Sequence, residues 1–150
     1  MFRFGKKKRY SIGEKINYYY ATLNNPNTSI KKKRWARQRI KDMKNIRNNI
    51  KQGDVFIVHD KLFGNTSGKP RYVVVAKNTG NNVDLLPVRK SDEFMTLSLF
   101  DNQRMISVKN SKNIHKNGLY EKRGFKGAKN AKLLTNEKAI LEKKVKKYLP

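Results

Sequence analysis

The densest group of ligand-binding side chains in this sequence is a basic run around a single tryptophan. It reads Lys31-Lys32-Lys33-Arg34-Trp35-Ala36-Arg37-Gln38-Arg39. At about 100° per residue, a helix places its cations opposite an apolar stripe of Ala36, Ile40, Met43, Ile46 and Ile50. Several cations on one helix face match the spacing of phosphates, and each contact releases counterions. The run predicts a nucleic-acid-binding surface, to which we assign Lys31, Lys33, Arg34, Trp35, Arg37, Lys41 and Lys44.

Trp35 has two interpretations. Its ring could stack on a base or a sugar, but it lies at the edge of the apolar stripe, beside Ile46. We therefore expect Trp35 to pack mainly in the core.

The two histidines of the chain are the side chains best suited to acid–base chemistry near neutral pH. RNA cleavage without a metal needs a base for the 2′-hydroxyl and an acid for the leaving 5′-oxygen. His59 ends an apolar run and borders a glycine-containing loop, so it is a candidate. A surface histidine paired with the adjacent Asp60 is the simpler interpretation. His115 lies in a basic stretch and is less favourably placed.

Other chemistries are excluded or weakly represented. The chain has no cysteine, and two histidines are too few for a multi-histidine metal centre. Asp92-Glu93 is the only adjacent acidic pair, and a solvated loop explains it better than a metal site. No nucleotide-binding glycine motif or zinc-protease motif occurs. We therefore predict no metal and no cofactor.

The positive charge is concentrated at the two ends of the chain. The 150 residues include 36 Lys or Arg and 11 Asp or Glu, a formal charge of +25. Residues 1–51 have a net charge of +14, residues 52–110 of +2, and residues 111–150 of +9. Unpaired positive charges at this density repel one another unless a polyanion neutralises them. We expect that polyanion to be nucleic acid and not a membrane surface.

The N-terminal part predicts a helical hairpin. Ser11 and Glu14 have the spacing of a capping box, which predicts a helix from Ile12 to Leu23. Its apolar face is Ile16, Tyr19, Tyr20 and Leu23. A turn follows at residues 24–27, and Thr28 or Ser29 caps a second helix that ends near Asn49 or Ile50.

The remainder predicts a small β core and a last helix. Residues 55–58, 71–76 and 83–88 have strand-like apolar patterns, and residues 78–82 form a hairpin turn. Shorter strands are expected at 94–99 and 105–108. Residues 109–132 are expected to be extended and held to the core by Leu119, Tyr120 and Phe125. A helix begins at Thr135 and buries these positions: Ile140, Leu141, Val145, Tyr148 and Leu149.

Three segments in the middle of the chain form a recognisable pattern: Gly53-Asp54-Val55-Phe56, Lys69-Pro70-Arg71-Tyr72-Val73-Val74-Val75 and Val83-Asp84-Leu85-Leu86-Pro87-Val88. Over roughly residues 53–90 this pattern resembles the MazF/PemK-like toxin family. The resemblance implies a small antiparallel SH3-like barrel and metal-independent cleavage of single-stranded RNA. The predicted fold is thus α+β: a basic tail (1–10), a basic helical hairpin (11–51), a barrel core (52–110), and a basic linker with a C-terminal helix (111–150).

The same resemblance assigns candidate site residues. Arg71 corresponds to the arginine that would stabilise the developing phosphorane charge, since a guanidinium holds phosphate oxygens bidentately. Arg89 stands where the family has a Thr or Ser that assists catalysis, and the nearby Ser91 is the substitute. Tyr72 replaces a proline of the family, and the basic hairpin is not part of the minimal toxin. Lys69, Arg89 and Lys90 complete the predicted nucleic-acid-binding set.

The predicted function is therefore nucleic-acid binding, with RNA favoured over DNA and with endoribonuclease activity as an uncertain addition. Alternatives are a non-catalytic accessory or regulatory protein of a mobile element and a ribosome-associated basic protein. An acidic antitoxin-like partner and a homodimer follow from the resemblance alone. A basic N-terminus without an apolar signal core predicts a cytoplasmic protein.

Overall fold

A computed structural model describes residues 9–64, 70–89, 96–98, 105–107, 111–124 and 130–149. The described helices are α1 (Ile12–Asn24), α2 (Ile30–Asn48) and α3 (Thr135–Tyr148). The described strands are β1 (Val55–His59), β2 (Pro70–Asn78), β3 (Asn82–Arg89), β4 (Thr96–Ser98), β5 (Met105–Ser107), β6 (Lys112–His115) and β7 (Glu121–Lys122). Among these residues no helix has the length and apolarity needed to cross a bilayer.

The predicted helical hairpin is confirmed, including its caps. The Ser11 hydroxyl accepts from the Glu14 backbone N–H at 3.2 Å, and the Glu14 carboxylate accepts from the Ser11 N–H at 3.0 Å. These two bonds satisfy donors that the first turn of α1 leaves open. Ser29, one of the two expected caps, accepts from the Lys32 N–H at 3.2 Å and starts α2. Both helix starts are therefore fixed by side chains visible in the sequence.

The strands form one antiparallel sheet. Its pairing path is β4-β5-β3-β2-β1-β7, and β6 also pairs with β3. The β2–β3 hairpin turns at residues 79–81, where Gly80 has a φ of +97°, a conformation that residues with a side chain rarely adopt. Over the described residues the path ends at β4 and at β7, so these pairings give an open sheet. The α+β class is confirmed.

Part of the expected basic linker belongs to this sheet. β6 pairs with β3, and only a few residues later β7 pairs with β1. A 3-10 turn (Lys116–Gly118) lies between them, and Leu119 after it is fully buried. Leu119 thus holds this segment to the core as expected, and Tyr120 is half-buried. Phe125 lies outside the described residues.

Each face of the sheet is covered by a different helical layer. Phe56 and Val73 are direct partners and face α1 and α2, whereas the neighbouring partners Val55 and Val74 face α3. This alternation follows from the two-residue period of a strand. The hairpin therefore covers one face and α3 the other.

Three predicted core positions are wrong in detail. Tyr20 is 39% exposed, because α1 turns Ile12, Ile16 and Tyr19 toward the sheet instead. Trp35 is 45% exposed and not a core residue, since Ala36, Ile40 and Met43 fill the contact of α2. Ile140 is 44% exposed, whereas the next residue, Leu141, is fully buried.

Candidate nucleic-acid interface

The exposed basic surface of α2 consists of Lys33, Arg34, Arg37 and Lys41, here called the α2 cationic face. Arg34, Arg37 and Lys41 are exposed, and Lys33 is half-buried. Within the described ranges none of these four side chains forms an ion pair. Their charges are therefore available to an external anion.

The described carboxylates are occupied elsewhere. Asp42, the only acid of α2, accepts from Gln38 Nε2 at 2.9 Å and lies 3.8 Å from the guanidinium of Arg39. The buried Asp54 accepts from the Lys51 N–H at 2.9 Å and lies 3.4 Å from Lys122 Nζ. Further carboxylates have these local partners: Ser11 for Glu14, Arg9 for Glu121, Asn113 for Asp84 and Leu134 for Glu137. None of these described carboxylates therefore pairs with the α2 cationic face.

Three aromatic rings follow one another across the hairpin, and we call Tyr18, Tyr19 and Trp35 the aromatic row. Tyr18 and Tyr19 meet edge to face with centroids 5.5 Å apart, and Tyr19 meets Trp35 in the same way at 5.3 Å. Such geometry is the favoured one for aromatic pairs. Tyr19 is buried, whereas Tyr18 is 53% and Trp35 45% exposed.

The opposite flank of the hairpin carries a different pair. Lys44 donates from Nζ to the Tyr20 hydroxyl at 2.7 Å, and its ammonium lies 5.3 Å from the ring centroid. This contact joins α2 to α1 and explains why Tyr20 points away from the core. Lys44, one of the residues predicted for nucleic-acid binding, thus has a partner within the protein.

The hairpin is fixed to the sheet through the turn after β6. The Ile12 N–H donates to the Leu119 carbonyl at 2.7 Å, and Arg47 donates to the Asn117 side chain at 2.9 Å. Gly13 comes so close that an added Cβ would lie 2.9 Å from Asn117 Cβ. Because both helices are held, the basic and aromatic side chains keep a defined spacing.

The described candidate residues for cleavage lie on strands of the sheet and not on α2. Arg71 pairs with Val58, and His59 pairs with Pro70, so register puts Arg71 and His59 on opposite faces of the sheet. Arg71 is half-buried and His59 is half-buried. Arg89 ends β3 and pairs with Met105. Lys69, Lys90 and Ser91 lie outside the described residues.

The two histidines, 56 positions apart, border one cavity of about 440 Å³. Its apolar walls include Val58, Leu62 and Ile114, and Lys61 also lines it. The His59 Nδ1 accepts from the Lys61 N–H at 3.1 Å, and the His115 Nδ1 accepts from the Asn117 N–H at 3.0 Å.

These two bonds fix which nitrogen carries the proton. An Nδ1 that accepts a hydrogen bond leaves the proton of the neutral ring on Nε2. In the neutral form each ring therefore presents a hydrogen-bond donor at Nε2 and cannot take up a proton there. Spacing in the sequence gave no sign that His59 and His115 meet, because β6 reaches this point through long-range pairing with β3.

No protein-family model matches the sequence, and no curated protein is significantly similar to it. The geometry of the hairpin and of the histidine cavity is therefore the basis for assigning a function.

Proposed function

We propose that this protein binds nucleic acid through the α1–α2 hairpin, with single-stranded RNA favoured over DNA. The observation that carries this proposal is an α2 cationic face that has no ion pair within the described residues and lies on the same pair of helices as exposed aromatic rings. Cations supply the phosphate contacts that dominate affinity, and aromatic rings suit unpaired bases.

The number and placement of the charges favour this interpretation over a merely solvated helix. α2 contains nine Lys or Arg and one Asp in 19 residues. Three lysines occupy its first turn, where the helix dipole disfavours positive charge, and no acid is present there. A helix selected only for stability would have the reverse arrangement. A bound polyanion would offset both the repulsion among these cations and their unfavourable interaction with the helix dipole.

A salt titration tests the proposal. The triple variant Lys33→Gln, Arg34→Gln, Arg37→Gln removes three charges of the α2 cationic face while keeping side-chain length. Its matched control is Lys143→Gln, Lys146→Gln, Lys147→Gln, which removes three exposed charges from α3. Binding of a single-stranded RNA is measured by fluorescence anisotropy at several salt concentrations.

The hairpin variant should flatten the slope of log affinity against log salt by about two units, since each single-strand phosphate contact contributes about 0.7. The α3 control should keep nearly the parental slope. Equal flattening in both variants would mean that affinity follows total charge and not this surface. An unchanged slope in the hairpin variant would move the binding site elsewhere.

We further propose that the sheet is an SH3-like barrel of the MazF/PemK type. In a flat sheet, the order β6-β3-β2-β1-β7 would place β6 and β7 about 19 Å apart at about 4.8 Å per strand. The link between them contains the 3-10 turn Lys116–Gly118, so its reach is only about 16 Å. The sheet must therefore curl, which supports a barrel-like shape.

The second candidate function is metal-independent RNA cleavage, favoured by the meeting of two histidines and Lys61 at one cavity. As an imidazolium, either histidine can protonate the leaving 5′-oxygen and become neutral. Arg71, which the resemblance assigns to stabilising the phosphorane, does not line this cavity. Removal of the 2′-hydroxyl proton needs a different group, because the neutral form of each histidine is already protonated at Nε2.

Incubation with single-stranded RNA in EDTA tests cleavage. Substitution of a general acid, as in His59→Ala or His115→Ala, should slow cleavage about 10²- to 10⁴-fold. Arg71→Ala should slow it about 10²- to 10³-fold. DNA of the same sequence is the control, since it lacks the 2′-hydroxyl. Intact RNA bound by the parental protein would exclude this activity, leave nucleic-acid binding in place and favour an accessory or ribosome-associated role.

A further inference from the structure

We propose that Trp35 is a stacking platform for an unpaired base of a single-stranded nucleic acid. This inference rests on the proposed nucleic-acid-binding function and assigns a specific contact within it. It concerns the flank of the hairpin that carries the aromatic row, not the α2 cationic face.

Trp35 is exposed although its ring contacts Tyr19. The indole meets Tyr19 at an angle of 89° between ring planes, an edge-to-face contact that leaves 45% of the residue exposed. Tyr18, which also contacts Tyr19 edge to face, is 53% exposed. The buried Tyr19 therefore supports two exposed rings and fixes their positions.

Most of the neighbours of the indole on the α2 surface are positively charged. On a helix surface the neighbours of position 35 are positions 31, 32, 38 and 39. These are Lys31, Lys32, Gln38 and Arg39, and both lysines are exposed. Arg39 lies 6.0 Å from the Tyr19 ring centroid and is 3.8 Å from Asp42, a long and solvent-exposed contact.

An exposed indole bordered by three cations matches the two halves of a nucleotide. The base has an aromatic face that stacks on a ring irrespective of its sequence, and the phosphates on each side are anionic. In a duplex the base faces are already stacked on one another, so only an unpaired base can use Trp35. The arrangement therefore selects single strands over duplexes, which the α2 cationic face alone does not do.

Trp35 provides its own reporter, because it is the only tryptophan of the chain. Its fluorescence is followed while the protein is titrated with oligo(U), with an abasic oligonucleotide of equal length, and with anionic phospholipid vesicles. Oligo(U) and the abasic strand carry the same backbone charge and differ in the presence of bases. Stacking predicts quenching by oligo(U) and little or none by the abasic strand.

Affinity gives an independent readout. Trp35→Ala should weaken oligo(U) binding roughly 5- to 150-fold, with the slope of log affinity against log salt unchanged. Trp35→Phe, which keeps an aromatic ring against Tyr19, should retain most of the affinity and guards against a folding defect. Circular dichroism of both variants checks that the hairpin is intact.

These experiments distinguish a failure of base stacking on Trp35 from a failure of nucleic-acid binding itself. Equal quenching by oligo(U) and the abasic strand would overturn stacking, as would unchanged affinity in Trp35→Ala while the α2 triple variant is weakened. A blue shift with vesicles, without a response to oligo(U), would assign the flank to a membrane surface and overturn the inference. Absence of binding by the parental protein would overturn nucleic-acid binding itself.

Discussion

Two basic helices cover opposite faces of the same sheet, and they differ in what surrounds their charges. α2 has nine basic residues and one acid, whereas α3 has five basic residues and two acids. In α3, Lys146 lies 3.8 Å from Glu142, and Lys147 Nζ lies 5.1 Å from the ring centroid of Tyr148. The four residues of the α2 cationic face have no such ion pair in the described chain.

The order of charges along the two helices also differs. α3 has Glu137 in its first turn and Lys146 and Lys147 in its last, which matches the helix dipole. α2 has lysines in its first turn, against the dipole. The two helices therefore differ in the placement of their charges and not only in their number. Exposed cations that have no ion pair in the described chain, and that oppose the helix dipole, are a more specific indication of a binding surface than net charge is.

The largest expected effect tests whether α3 is mainly a structural helix. Leu141→Ala should lower the free energy of unfolding by about 2–5 kcal/mol, because the side chain is fully buried against the sheet. Ile140→Ala is the matched control and should change it by no more than about 0.5 kcal/mol, since Ile140 is exposed. Urea denaturation followed by circular dichroism measures both. Equal losses in the two variants would contradict the orientation of α3.

Local signals explain which parts of the fold were predictable. The capping box of Ser11 and Glu14, the cap of Ser29 and the apolar stripe of α2 depend on residues close in sequence. The β2–β3 hairpin has the same property, because its turn and both strands are consecutive. These elements were therefore predicted within a few residues of their observed bounds.

Long-range pairing explains what was missed. β7 pairs with β1 across more than 60 residues, and no spacing within residues 109–132 reveals that contact. The meeting of His59 and His115 depends on another long-range pairing, that of β6 with β3. The exposure of Trp35 was missed because a helical wheel gives the direction of a side chain but not how far the neighbouring helix covers it. Tyr19 contacts that indole edge to face, and 45% of Trp35 remains exposed.

A second prediction sharpens the contrast between stability and binding in α2. Lys32→Glu places an acid three residues after the Ser29 cap and so creates the capping box that α1 already has. We expect the free energy of unfolding to rise by about 0.5–1 kcal/mol through the cap and the dipole. Affinity for single-stranded RNA should fall, because a cation beside Trp35 is replaced by an anion.

Lys143→Glu in α3 is the matched charge reversal, exposed and outside any first turn. It should give neither the stabilisation nor the large loss of affinity. Thermal denaturation and anisotropy on the same preparations measure both quantities. A simultaneous gain or a simultaneous loss of stability and affinity in Lys32→Glu would contradict the view that the first turn of α2 is arranged for binding.

The smallest expected effect concerns the ion pair of α3. Glu142→Gln removes the partner of Lys146 and raises the net charge of the helix, while the exposed i,i+4 contact contributes no more than about 0.5 kcal/mol to stability. If nucleic-acid affinity followed net charge, this variant would bind more tightly and with a steeper salt dependence. We expect RNA affinity and salt slope to stay at their parental values, because the proposed RNA-binding hairpin and α3 cover opposite faces of the sheet. An increase matching one added phosphate contact would show that α3 also takes part in binding, and would remove the distinction between the two helices.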